Sequence, residues 1–250
     1  MFAYDLTVLA IVAVAFLFGG FAKGVTAVGM PIFAVAIMAS TLEPRLALAS
    51  LIMPAVVTNL WQTIRAEDFF RPLRRFWPMI ACFMVTMLIF ARVMAGLNTK
   101  MLFAILGGVL VLFSVLNIWR PQGEPLSPAT ERWAGPLAGL LGGALGGLTT
   151  IWGPPMVIFL VLLRLDKDEF VRTVGFIWSL GVIPLTFGYW RNGVLNAETL
   201  PISLYACIPA LLGTMLGEYA RRFINQCLFR KVMSGLLLII GLNLIRRGLM

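Results

Sequence analysis

The sequence has no histidine, and that single absence removes His-based general bases, Ser-His-Asp triads and His-ligated metals. Acidic residues are scarce as well, 11 among 250, and Glu43, Asp166, Asp168, Glu169 and Glu218 all sit near the ends of apolar segments. No carboxylate proton relay is visible in an apolar centre, and neither is an acidic pair for intramembrane catalysis. The three cysteines, Cys82, Cys207 and Cys227, are far apart and the first two lie within apolar runs. No disulfide and no metal site is expected from them. Long alternations of apolar and polar residues are missing, which excludes a transmembrane β-barrel. Nothing here calls for a cofactor, and the chain does not read as an enzyme.

What is present in quantity is hydrophobic residue, 60% of the chain against 12% charged. With a mean hydropathy of +0.93, this places the protein in the membrane class. Ten apolar segments fall at roughly 6–22, 26–40, 46–63, 76–95, 101–119, 133–149, 154–164, 170–189, 199–217 and 229–245. The first leads straight into a second apolar run instead of a small-residue cleavage site, so it reads as mature protein. The formal charge of +9 comes from Lys and Arg at segment ends rather than on one continuous basic face. It therefore signals membrane topology, with the lipid bilayer and not nucleic acid as the surrounding partner.

Two stretches interrupt the apolar runs in the same way: GGFAKGVTAVGMP from Gly19 to Pro31, and GGALGGLTTIWGP from Gly142 to Pro154. Adding 123 to a number in the first gives its counterpart in the second, so Gly24 meets Gly147, Thr26 meets Thr149 and Pro31 meets Pro154 without a gap. The same offset pairs Leu42 with Leu165, Ser50 with Thr173, Pro78 with Pro201 and Val109 with Val232. Glycine and proline continue a helix poorly and expose backbone groups, so both stretches are expected to be broken helices. The pattern predicts an all-α transmembrane bundle of two repeats, residues 1–119 and 133–250. A polar, Pro-rich surface linker at 120–132 joins them.

Charge decides whether the repeats are parallel or inverted. Suppose the first two segments of each repeat enter and leave on one side, as a broken or re-entrant helix pair, with three spanning helices following. The cytoplasmic loops then hold Arg65, Arg71, Arg74, Arg75, Arg120, Arg132, Arg164, Lys167, Arg172, Arg221, Arg222, Arg230 and Lys231, which is 13 of the 20 basic residues. The other side holds Arg45, Arg92, Lys100, Arg191, Arg246 and Arg247. A single crossing per pair erases this bias, so inverted repeats with both termini outside are expected, although Arg246 and Arg247 pull the other way.

The N-terminal end of a half-helix offers unpaired N–H groups and a positive dipole end, a ready anion site. Gly24 and Gly147 precede the hydroxyl segment and are the candidates for exposed backbone; Thr26, Thr149, Thr150, Ser50 and Thr173 are candidate hydroxyl donors. Lys23 is the basic residue deepest in an apolar setting, either an anion-attracting cation near the break or a long side chain that snorkels to the interface. Trp152 stands where the first copy has Gly29 and either narrows the pocket or anchors an interface. Asn59 either faces the interior or joins two helices. Gly135, Gly139, Gly143 and Gly147 recur every four residues and form a stripe for close helix packing.

These paired motifs, above all GGLTTIWGPPMVIFLVLLRLDKDEFVRT, resemble the sulfite exporter TauE/SafE family over essentially the whole chain. The resemblance implies a permease of the bacterial inner membrane that moves sulfite, thiosulfate or organosulfonates. The expected function is export of such an anion by alternating access. Export needs no coupling ion, because an inside-negative potential favours anion exit by roughly 2.3 kcal/mol per charge per 100 mV. An anion channel and a membrane scaffold are the alternatives.

Overall fold

The computed structural model describes residues 4–26, 29–64, 71–119, 126–165, 167–224 and 226–250. Among these residues there are eleven α-helices and no strand: α1 (Leu6–Thr26), α2 (Met30–Thr41), α3 (Pro44–Ser50), α4 (Ile52–Ile64), α5 (Arg71–Gly96), α6 (Thr99–Trp119), α7 (Pro128–Thr149), α8 (Gly153–Leu162), α9 (Lys167–Arg191), α10 (Leu200–Ala220) and α11 (Gln226–Leu249). Seven stretches of the described residues are long and apolar enough to cross a bilayer, in α1, α3–α4, α5, α6, α9, α10 and α11. The protein is thus an all-helical, multi-pass membrane protein.

Every predicted apolar segment corresponds to helix, but the third is divided at Leu51 into α3 and α4. Pro54 is responsible, because it lacks the N–H that would otherwise close on the carbonyl of Ser50. The helices α2 and α8 have only 12 and 10 residues. At 1.5 Å per residue they reach about 18 and 15 Å, roughly half of a 30 Å hydrocarbon core. The expected linker is only partly visible, since residues 120–125, like Arg65 and Asp166, lie outside the described residues. Its last five residues are helical: α7 begins at Pro128, capped by Ser127, whose Oγ accepts the Thr130 N–H at 3.2 Å.

The chain divides into two compact units that cut across the two sequence halves. One comprises residues 1–58, 96–120 and 193–250, the other 59–95 and 121–192. In the first, α1 and α10 run parallel in backbone contact. A Cβ on Gly20 would lie 2.3 Å from the Ala210 carbonyl oxygen, and one on Gly213 would lie 2.1 Å from that of Leu17. The helices α6 and α11 run antiparallel, with Gly107 against Gly241 and Gly248 against Lys100. In the second unit α5 and α7 run parallel. The predicted glycine stripe packs there, Gly139 on Met79, Gly143 on Phe83 and Gly147 on Met87. Small residues let backbones approach closely where lipid supplies no hydrophobic drive between helices.

Within the second unit, the Leu126 N–H ahead of α7 donates to the Leu162 carbonyl at the end of α8, at 3.2 Å. Arg75 at the start of α5 binds Glu131 near the start of α7 (2.9 Å) and lies 3.6 Å from Glu169 near the start of α9. The α7–α8 pair therefore enters and leaves on one side of its unit. In the first unit Arg247, near the end of α11, donates to the carbonyls of Ala39 (2.7 Å) and Ser40 (2.8 Å) at the end of α2.

Candidate functional site

The first break separates α1, ending at Thr26, from α2, starting at Met30. Gly29 caps α2 at φ 130°, a conformation open in practice only to glycine, and Pro31 follows in the first turn. The opening turn of α2 carries amides that the helix itself cannot pair, and its Met30 and Ile32 are buried. A positive dipole end therefore sits inside protein rather than in water.

Lys23 lies in the last turn of α1 and is only 2% exposed, so it does not snorkel to the surface. Its Nζ donates to Thr58 Oγ1 at 2.9 Å, and Thr58, fully buried on α4, donates onward to the Pro54 carbonyl at 2.7 Å. The end of α1 is also where the macrodipole favours a cation. Thr26 donates its hydroxyl to the Ala22 carbonyl one turn back, at 2.8 Å. Gly24 is pressed against α10, where a Cβ would lie 2.3 Å from the Thr214 carbonyl and 2.6 Å from the Glu218 nitrogen. Close helix crossing thus requires glycine there.

Ser50 is fully buried and donates to the Ala47 carbonyl at 3.0 Å. Its own carbonyl, orphaned by Pro54, accepts the hydroxyl of Ser203 on α10 at 3.0 Å, and Ser203 Oγ accepts the Met53 N–H at 3.0 Å. Ser203 stitches the α3–α4 break. Neither Ser203 nor Thr58 was singled out by the sequence, although Pro54 marks the carbonyl that Ser203 serves.

The second break lies between Thr149 and Gly153. Thr149 Oγ1 donates to the Leu145 carbonyl (2.7 Å) and accepts the Ile151 N–H (3.2 Å), so one hydroxyl closes α7 and fixes the turn beyond it. Thr150 sits at φ 61°, a left-handed conformation costing a β-branched residue about 1 kcal/mol or more. Gly147, packed on Met87, has its carbonyl taken by the Tyr189 hydroxyl at 3.2 Å. Pro154 and Pro155 have no N–H to give, so the donors at the start of α8 are the amides of Trp152 and Gly153.

Trp152 caps α8 and is 1% exposed, its ring meeting Phe83 and Trp178 edge-on at 6.0 and 6.2 Å. Burial in this aromatic cluster rules out interfacial anchoring. Asn59, in the same unit, donates to the Trp178 carbonyl at 3.3 Å and so joins two helices. Among the described residues, the Trp152 Nε1, Thr173 Oγ1 and Thr186 Oγ1 atoms of this unit are buried without a hydrogen-bond partner. An unpaired buried donor costs about 1–3 kcal/mol, so each of these groups suits an acceptor that comes and goes. The candidate residues thus fall into two sets. Lys23, Gly24, Thr26 and Ser50 lie in the first unit, whereas Gly147, Thr149, Thr150, Trp152 and Thr173 lie in the second.

The family model described as Sulfite exporter TauE/SafE matches residues 11–244. No curated protein and no solved structure matches the chain.

Proposed function

The chain belongs to the sulfite exporter TauE/SafE family, and on that premise we propose that it is a secondary transporter exporting a small sulfur-containing anion, sulfite, thiosulfate or an organosulfonate, by alternating access. The observation that carries this reading is that Trp152 Nε1 and Thr173 Oγ1, two candidate site residues, are among the buried donors of the second unit without a hydrogen-bond partner among the described residues. An oxyanion offers several acceptor oxygens and no donor, so it matches such groups where a cation would not. The start of α8 adds positive dipole and amides, and the start of α2 with Lys23 does the same in the first unit. In this reading Thr26, Thr149, Thr150 and Ser50 hold the breaks in shape. Gly24 and Gly147 hold the helices that carry them.

We also propose that the repeats are inverted, in the inner membrane of a bacterium. Support comes from the α7–α8 pair, which starts and finishes on one side and so adds no net crossing. Three crossings then remain per repeat, an odd number that turns the next repeat over. The offset of 123 further equates α1 with α7 and α10 with α5. These are the partners that pack in parallel in each unit.

The test is flux in proteoliposomes loaded with sulfite, thiosulfate or sulfoacetate, with sulfate, phosphate and chloride as comparators. Saturable flux with trans-stimulated exchange of one sulfur anion is expected, and flux that never saturates would make the protein a channel. Trp152→Phe keeps an aromatic ring, though a smaller one, and deletes the donor, and Thr173→Val keeps the shape and deletes the hydroxyl. Together they are expected to weaken half-saturation by roughly tenfold or more, at about 1–1.5 kcal/mol per lost hydrogen bond. Unchanged kinetics in the double variant would sink the proposed contacts.

A further inference from the structure

A cavity of about 320 Å3 lies in the second unit, away from the helix breaks, walled by Arg75, Phe76 and Met79 on α5, Arg132 and Pro136 on α7, and Phe159 on α8. Two prolines, Pro78 and Pro136, lie in its wall. Pro78 lacks the amide that would close on the Arg74 carbonyl, and Pro136 lacks the one that would close on the Arg132 carbonyl. The helix α5 leaves helical geometry beside the first of these, at Phe76 (φ −107°, ψ 15°).

The cavity has an apolar floor and a charged rim, Arg75, Glu131 and Arg132. Phe76, Met79 and Phe159 are 3%, 1% and 4% exposed, and the two phenyl rings meet edge-on at 6.2 Å, so the floor is packed and fixed. On the rim, the Arg75 guanidinium is held by Glu131 through Nε and Nη2 at 2.9 and 3.2 Å, with Glu169 at 3.6 Å. Arg132 is exposed and has no partner among the described residues. Of the charged residues that line the cavity, Arg75 and Arg132 stand against one carboxylate, Glu131, so Arg132 is the cation of the wall without a carboxylate of its own.

Depth in the bilayer is given by two indoles beside this rim. Trp77 and Trp133, each a chain neighbour of a wall residue, are 62% and 81% exposed. Exposed tryptophans on membrane helices belong at the headgroup level. A water-soluble anion needs no apolar floor, and an alkyl chain needs no guanidinium. The two together fit one molecule that carries both, at the depth where its head and tail meet.

We propose that this cavity binds an anionic phospholipid, with its phosphate against Arg132 and its first acyl carbons over Phe76, Met79 and Phe159. The reading is independent of the transported substrate.

The test is native mass spectrometry of the full chain released from nanodiscs of mixed phosphatidylglycerol and phosphatidylcholine. Wild-type protein is expected to retain phosphatidylglycerol selectively, and Arg132→Gln to lower that retention roughly tenfold, the worth of one charge-assisted contact. Arg222→Gln serves as control, because that side chain lies over Tyr219 and Phe223 in the other unit; it is expected to change nothing. Equal retention of the two lipids, or unchanged retention in Arg132→Gln, overturns the proposal. So does displacement of the lipid by inorganic phosphate alone, which would make this a site for a free oxyanion. Brominated acyl chains give a second reading on unmutated protein. Tryptophan quenching is expected to be stronger with brominated phosphatidylglycerol than with brominated phosphatidylcholine, and equal quenching contradicts lipid selectivity.

Discussion

Lys23 is 2% exposed inside a helix long enough to span the bilayer; its Nζ donates to the neutral Thr58 hydroxyl, and Glu218 on α10 is the carboxylate whose charge acts on it. Keeping a charge in such a place is costly, and replacing it by an apolar group of similar length often leaves a fold as stable or more so. Lys23→Met is therefore expected to keep or raise the melting temperature in detergent while weakening anion transport by about tenfold to a hundredfold, the value of one charge-assisted contact. Loss of stability with unchanged half-saturation would assign Lys23 a structural role instead. The sequence marked Lys23 because a charge amid apolar residues is visible locally. It could not mark Thr58, whose partner is 35 residues away, nor Ser203, whose role depends on a carbonyl exposed by Pro54. Ser203→Ala leaves that carbonyl of Ser50 and the Met53 N–H without their partner. A loss of about 1–3 kcal/mol is expected, read as a lower melting temperature with unchanged transport per folded molecule.

At the scale of the element, breaks were legible and their chemistry was only half so. Gly29, Pro31, Pro154 and Pro155 announce where α1 and α7 must stop, and the structure stops them there. The threonines beside the breaks looked like ready donors, but Thr26 and Thr149 turn their hydroxyls onto carbonyls one turn back. A threonine at a helix end has that acceptor within reach whatever else surrounds it. The glycine stripe on α7 was likewise readable from its spacing of four, whereas its partner α5 was not, since spacing says nothing about what fills the groove. Gly143 and Gly108 separate packing glycines from permissive ones. A Cβ at Gly143 would stand 2.4 Å from the Phe83 carbonyl, and one at Gly108 meets nothing within 4 Å. Gly143→Val is expected to cost about 1–3 kcal/mol by overpacking. Gly108→Ala is expected to be neutral or to stabilise by up to about 1 kcal/mol through its lower unfolded-state entropy. Comparable losses from both in thermal unfolding would show that close backbone approach is not what selects glycine on α7.

For the molecule as a whole, the charge count that favours inverted repeats has its weak point in the basic residues on the opposing side. The structure gives several of those residues other work. Arg45 donates to the Leu97 carbonyl at 2.6 Å, Lys100 to the Met250 carbonyl at 2.5 Å, and Arg247 to the carbonyls of Ala39 and Ser40 while lying 4.2 Å over the Phe103 ring. Each closes backbone acceptors at or just beyond a helix end, where carbonyls have no partner in their own helix and a cation is favoured. They are held by the fold, so their presence on that side need not report orientation, and the topological signal rests on the remaining charges. Arg247 therefore loses much of its force against an external C-terminus. With Cys82, Cys207 and Cys227 replaced by alanine, single cysteines at Ser127 and Met250 test this in sealed cells. Met250→Cys is expected to react with a membrane-impermeant maleimide added outside, and Ser127→Cys only after the membrane is opened. Labelling of both from outside would restore the parallel arrangement of repeats. Adding Arg247→Gln sharpens the measurement. If Arg247 is a structural cation, its loss lowers the melting temperature and leaves the labelling pattern as it was; if it is a topology signal, the pattern itself changes.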